Sequence, residues 1–154
     1  MCSENKKKGE CSGRDRSGVI CVYTIKWMAV IVAAVAAYLI GWLWYSNKGF
    51  GEQWRILTKV TKKRAKKSMN LWTMLLGFIG TIVMALVLMS LIGLTGARSL
   101  LDGAFLSTLV WLGFIAPVSL GGVLWEGKPW KLWLLNNAYN IVILVVMGLI
   151  LTAW

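Results

Sequence analysis

Three asparagines, Asn136, Asn137 and Asn140, sit within an otherwise apolar run, Leu132–Trp154, that contains no Asp, Glu, Lys or Arg. Asn136 and Asn140 are one helical turn apart on one face, with Asn137 beside them and Tyr139 on the adjoining face. An amide in hydrocarbon needs a partner, so this face is expected to point into a helix bundle and away from lipid. The expected role is structural glue, since interhelical amide bonds are worth only ~0.6–2 kcal/mol each. The alternative is a polar lining for a ligand or an ion path. Glu126 lies just upstream, with Lys128 and Lys131 near enough in sequence to neutralise it. Such an interfacial pair is of small energetic value; otherwise Glu126 would bind a cation or act as a general acid or base. One carboxylate and a few amides are too few for a divalent-ion cage, so no metal site is assigned. Pro117 removes a backbone donor in the preceding run. A packing kink is the expected consequence, and a carbonyl freed for a ligand is the alternative.

The chain contains no histidine, which removes His-based triads, His metal ligands and His-ligated haem. Cys2, Cys11 and Cys21 lie near the start, without a CxxC spacing. A disulfide framework or a dithiol redox site is therefore not expected, and no cofactor is assigned.

These side chains must be held by membrane helices. Hydrophobic residues make up 58% of 154 positions, more than a soluble domain of this size can bury. Trp27–Tyr45, Leu71–Ala97, Gly103–Trp125 and Leu132–Trp154 are each free of Asp, Glu, Lys and Arg. Each exceeds the roughly 18 apolar residues that mark a spanning helix. An all-α bundle of four transmembrane helices follows, with approximate spans 27–45, 71–94, 103–125 and 132–154. The stretch Met1–Lys26 is polar and expected to be disordered. The first run is not expected to be a signal peptide, since it follows that tail and exceeds a typical apolar signal core.

Small residues recur at i,i+4 within the spans: Ala29, Ala33, Ala37 and Gly41 in the first, Gly77, Thr81 and Ala85 in the second, and Gly113, Pro117 and Gly121 in the third. Such stripes let helices approach closely and are expected to pack the bundle; a pore wall is the alternative. Trp27, Trp42, Trp44, Trp72, Trp125, Trp130, Trp133 and Trp154 fall near span ends, as interfacial anchors do. A weak repeat aligns Leu39, Gly41, Leu43 and Trp44 with Leu120, Gly122, Leu124 and Trp125. Further on, Leu71, Trp72, Gly77 and Phe78 align with Leu132, Trp133, Ala138 and Tyr139, suggesting two parallel helix-pair repeats.

The formal net charge of +11 is concentrated beside the spans. In the first loop, Trp54, Leu57 and Val60 make an apolar edge, followed by Lys59, Lys62, Lys63, Arg64, Lys66 and Lys67. A short interfacial helix with its cations among anionic lipid headgroups is one reading, and a solvated topology signal is the other. Nucleic acid is not an expected partner, because no aromatic-basic binding module accompanies the charge. Ser99 and Asp102 have capping-box spacing ahead of the third span, and Pro129 suits the start of the fourth. The first and third loops hold eight and two Lys or Arg; the tail and second loop hold six and one. With the distal tail discounted, the loops are expected in the cytoplasm and both termini outside it.

The segments "GWLWYS", "FGEQW" and "WLGFIAPVSLGGVLWEGKPWKLWLLNNAYNIV" resemble the domain-of-unknown-function family numbered 1761 over about Trp27–Trp154. Family-like positions include Trp44, Tyr45, Phe50, Trp54, Gly113, Phe114, Glu126, Gly127 and Asn136. The resemblance implies a small four-helix integral membrane protein, mainly of bacteria and some fungi, and a bacterial plasma membrane is the expected location. It implies no activity.

The leading expectation is a non-enzymatic membrane protein that self-associates or serves another membrane protein as an accessory subunit. A small transporter or channel is the alternative, its path lined by the fourth helix. A lipid-modifying enzyme using Glu126 is the weaker one.

Overall fold

The computed structural model describes residues 26–46, 49–61 and 70–154. The three cysteines, and Lys62, Lys63, Arg64, Lys66 and Lys67, lie outside them. The described residues form α1 (Trp27–Trp44), α2 (Gly51–Thr58), α3 (Leu71–Thr95), α4 (Leu100–Val110), α5 (Ala116–Leu124) and α6 (Trp130–Ala153). A π-helical turn, Trp111–Ile115, joins α4 to α5 into one span, Leu100–Leu124. With α1, α3 and α6 this makes four helices long and apolar enough to cross a membrane.

Local chemistry sets the helix ends. Asn70 accepts the Trp72 N–H at 3.3 Å and so caps α3. Gly96, at φ 68°, ends α3 in the left-handed conformation that glycine adopts without penalty. Ser99 accepts from Leu101 N–H while Asp102 accepts from Ser99 N–H, completing the capping box of α4. Pro129 stands immediately before α6, one position earlier than its sequence suggests, with its carbonyl accepting from Leu132 and Trp133. The third and fourth spans thus begin at Leu100 and Trp130, earlier than the uncharged runs do. Asp102 and Lys131 are excluded from an apolar run by their charge, but a first helical turn accommodates them at the membrane edge.

α6 is the hub and packs against every other span. The buried core draws Ala29, Val30, Ala33, Ala34 and Ala37 from α1, Ala85, Leu88 and Ile92 from α3, and Ile143, Leu144, Met147 and Leu151 from α6. Alanines bring the α1 backbone close, and the larger side chains of the other helices fill the space. α3 and the third span are consecutive yet leave a lateral cleft of about 250 Å³, lined by Gly80, Val83, Val87, Val110 and Ile115.

A close helix approach joins the third and fourth spans. A methyl group on Gly148 would overlap Ser107 Oγ and lie 2.7 Å from the Gly103 carbonyl oxygen. One on Gly103 would meet Thr152 Cγ2 at 2.6 Å and the Gly148 carbonyl oxygen at 2.7 Å. Ser107 and Thr152 turn their hydroxyls onto their own helices, donating to Gly103 O at 2.7 Å and Gly148 O at 2.8 Å. The hydroxyls are therefore satisfied within each helix, and the glycines admit the opposing backbone.

The π-turn decides what the rest of the third span presents. Pro117 has no N–H to offer the carbonyl four residues back, and Ala116 N–H bonds instead to Trp111 O, five residues back. In a continuous α-helix, Gly103, Ser107, Phe114 and Val118 would share a face. Here Gly103 and Ser107 are buried, whereas Phe114 and Val118 are 72% and 78% exposed. The extra residue in the turn shifts the phase, so Ile115, Ala116 and Ser119 take the inward side.

Candidate functional site

The amides of the spans gather near one end of the bundle, where α1 and α5 finish and α6 begins. Asn137, 2% exposed, donates from Nδ2 to Ser119 Oγ at 3.0 Å and to the Trp133 carbonyl at 3.0 Å. Trp133 Nε1 also donates to Ser119 Oγ at 3.0 Å. With both acceptor positions occupied, the Ser119 proton has the Ala116 carbonyl at 3.0 Å or Asn137 Oδ1 at 3.3 Å as acceptor. This Asn137–Ser119–Trp133 cluster ties α5 to α6 and leaves the hydroxyl fully used.

A second cluster ties α1 to α6. Tyr45 Oη donates to Asn136 Oδ1 at 3.1 Å. The Tyr45 ring stands edge-on to Tyr139 at 5.2 Å and to Trp54 of α2 at 5.9 Å. Trp44 meets Phe50 at 4.8 Å and Tyr139 at 6.3 Å. Tyr139 reaches this position because Gly41 has no side chain: a methyl there would lie 2.7 Å from Tyr139 Oη. Tyr45 lies just beyond α1, and its phenol is pushed up to about 12, first by burial and then by the neighbouring Tyr139. The folded protein therefore favours the neutral phenol. That contribution is complete below about 10 and is lost as pH rises through about 12. An ultraviolet titration should show one phenolate forming near 12 that is missing from Tyr45→Phe; a Tyr45 phenolate complete at pH 10 would contradict this packing.

The other expected residues are distributed unequally. Asn140 is half-buried and makes no hydrogen bond among the described residues. Glu126 is exposed and paired with Lys128 at 2.5 Å, so the structure joins it to a lysine and not to the amides. Pro117 is exposed, and it follows directly on the π-turn and Ala116. Of the small-residue stripes, Ala29, Ala33, Ala37 and Ala85 are fully buried, and Gly41 seats Tyr139. Thr81 is half-buried, and Gly77 is exposed with only Tyr38 near it, at 4.0 Å. The stripe of Gly113, Pro117 and Gly121 corrects the expectation of packing within the chain. Among the described residues Gly113 has no atom within 4 Å of a would-be methyl, and Gly121 has only Trp125, at 3.7 Å, because the π-turn has rotated this face outward. Lys59 is exposed at the end of α2, the short amphipathic helix that lies against α6.

Two groups escaped the sequence reading. Gly103, Ser107, Gly148 and Thr152 form two small-x3-small pairs that face each other, a signal present in the sequence but shared with many other such pairs. Ser119 was also missed, because its approach to Asn137 depends on the π-turn. Among the described residues no three His, Cys, Asp or Glu converge on a point that would hold a metal.

The family described as "Protein of unknown function (DUF1761)" matches residues 28–152. No curated protein and no solved structure matches the chain. The match covers most of the sequence, and the chain belongs to that family.

Proposed function

We propose that this DUF1761 protein is a non-catalytic membrane protein that acts by association, with a second copy or as an accessory subunit of another membrane protein. The observation that carries the proposal is the outward position of Gly113 and Pro117, both exposed, with the half-buried Gly121 continuing their stripe. Small residues are the means by which membrane helices approach one another, and among the described residues nothing lies within 4 Å of a methyl added at Gly113 and only Trp125 near one added at Gly121. The interior supports the same reading. Asn136 and Asn137 are bonded to residues of the chain itself, and beyond them the core is alanine, valine, leucine, isoleucine and methionine apart from Ser107, whose hydroxyl is bonded within its own helix. A path for polar solutes would need polar lining through that core. The end carrying the first and third loops holds ten of the 17 Lys and Arg, which supports a cytoplasmic position for it.

Gentle extraction from native membranes should recover a homo-oligomer or a complex with a partner chain. Gly113→Leu should release it as a folded monomer, because among the described residues nothing lies within 4 Å of a methyl added there. Extraction of the wild type as a lone monomer, or an assembly indifferent to Gly113→Leu, would overturn the proposal. The transporter alternative draws on Asn140, the half-buried amide without a hydrogen bond among the described residues. It requires that liposomes containing the protein support a solute flux that Asn140→Leu abolishes without loss of fold.

A further inference from the structure

At the end of the bundle that holds the amides, α2 does not close fully onto α6. Between them lies an open crevice of about 550 Å³, within the range of small-molecule sites. Its walls are Ile56 and Leu57 from α2 and Leu134 and Ala138 from α6, with Trp44 also lining it. Ile56 and Leu134 are exposed, so apolar side chains face space that the described residues leave unfilled. Lys131, in the first turn of α6, also lines the crevice. It makes no ion pair among the described residues, whereas the carboxylates of Glu52 and Glu126 are taken by Arg55 and Lys128.

We propose that this crevice is a binding site for one anionic phospholipid, with an acyl chain between α2 and α6 and the headgroup phosphate at Lys131. The pairing follows from charge and depth. An apolar slot next to the last residues of one span and the first turns of another opens where acyl chains meet headgroups, and its free charge is positive. The neighbouring stretch of the chain is a poor occupant. Residues 62–69, "KKRAKKSM", carry five cations, which an apolar slot beside a lysine would repel. A built slot differs from a diffuse basic surface because it holds one lipid in a defined place.

The full chain, purified in mild detergent and equilibrated with equal amounts of phosphatidylglycerol and phosphatidylcholine, should retain one lipid in native mass spectrometry. Phosphatidylglycerol should be favoured about five-fold, the factor that a single lysine near an anionic surface supplies. Lys131→Gln should bring that ratio close to one, and Ala138→Trp, which fills the slot and keeps the charge, should lose both lipids. No anionic preference in the wild type, a preference that survives Lys131→Gln, or a lipid that survives Ala138→Trp would each overturn the site. Should either variant fail to fold, the wild type still decides. Phosphatidylglycerol with a photoactivatable acyl chain should label residues 53–57 and 134–138, and labelling confined to other helices would refute the proposal.

Discussion

Gly148→Leu should separate the third and fourth spans and destabilise the protein by upwards of about 3 kcal/mol, since overpacking a filled core by single groups already costs ~1–3 kcal/mol. The site has no slack. Even a methyl would overlap Ser107 Oγ and press on the Gly103 carbonyl, and backbone cannot move aside as a flexible side chain can. The loss extends past the contact itself. α6 packs against every other span, so tilting it also disturbs its packing against α1 and α3. Equilibrium unfolding in mixed micelles of increasing denaturing-detergent fraction measures this directly. Gly80→Ala is the matched control, because no atom lies within 4 Å of its would-be methyl. It should be neutral or stabilising by up to ~1 kcal/mol through helix propensity. A Gly148→Leu protein as stable as the wild type would show that the spans do not meet there.

Ser119→Ala should cost about 2 kcal/mol, more than Asn137→Leu does, although Asn137 is the more conspicuous residue. Ser119 Oγ accepts from Trp133 Nε1 and from Asn137 Nδ2. Its removal strands the indole donor and one amide proton in a part-buried site, and an unmet donor costs more than the net value of a made bond. Asn137→Leu leaves the serine hydroxyl bonded to Trp133 and exchanges an amide for a group of similar size, a loss of about 1 kcal/mol. The double variant should be more stable than the sum of the two losses implies, because each removes part of the other's penalty. Strict additivity would mean that the two residues do not interact. The same variants bear on transport: were the cluster a path lining, Ser119→Ala would alter flux while leaving unfolding unchanged.

How far the sequence alone could carry this picture depended on the distance over which each signal acts. The spans were legible because hydrocarbon excludes charge everywhere along a helix, so four uncharged runs announce four crossings. The Ser99–Asp102 box was legible because its partners lie three residues apart. α2 was legible from Trp54 and Leu57, one face of a helix only eight residues long. The amides were legible as a class, since hydrocarbon forces them to find partners, but their partners were not. Asn136 bonds to a tyrosine 91 positions away, and Asn137 to a serine whose direction is set by an irregular turn. Counting every fourth residue assumes 3.6 residues per turn. The π-turn breaks that assumption between Trp111 and Ile115, so the Gly113–Pro117–Gly121 stripe changed sides.

By itself, the amino-acid sequence determined that this is a four-span membrane protein, which end carries the basic loops, and that its amides would lie at least partly buried. These follow from solvation, which acts on each residue wherever its neighbours lie. The tertiary structure alone decided that Gly103 and Gly148 make a close crossing, that Ser119 serves Asn137, and that α2 and α6 leave a crevice beside Lys131. Those depend on helix phase and on distances between residues far apart in the chain, where a single added residue in one turn rotates everything beyond it.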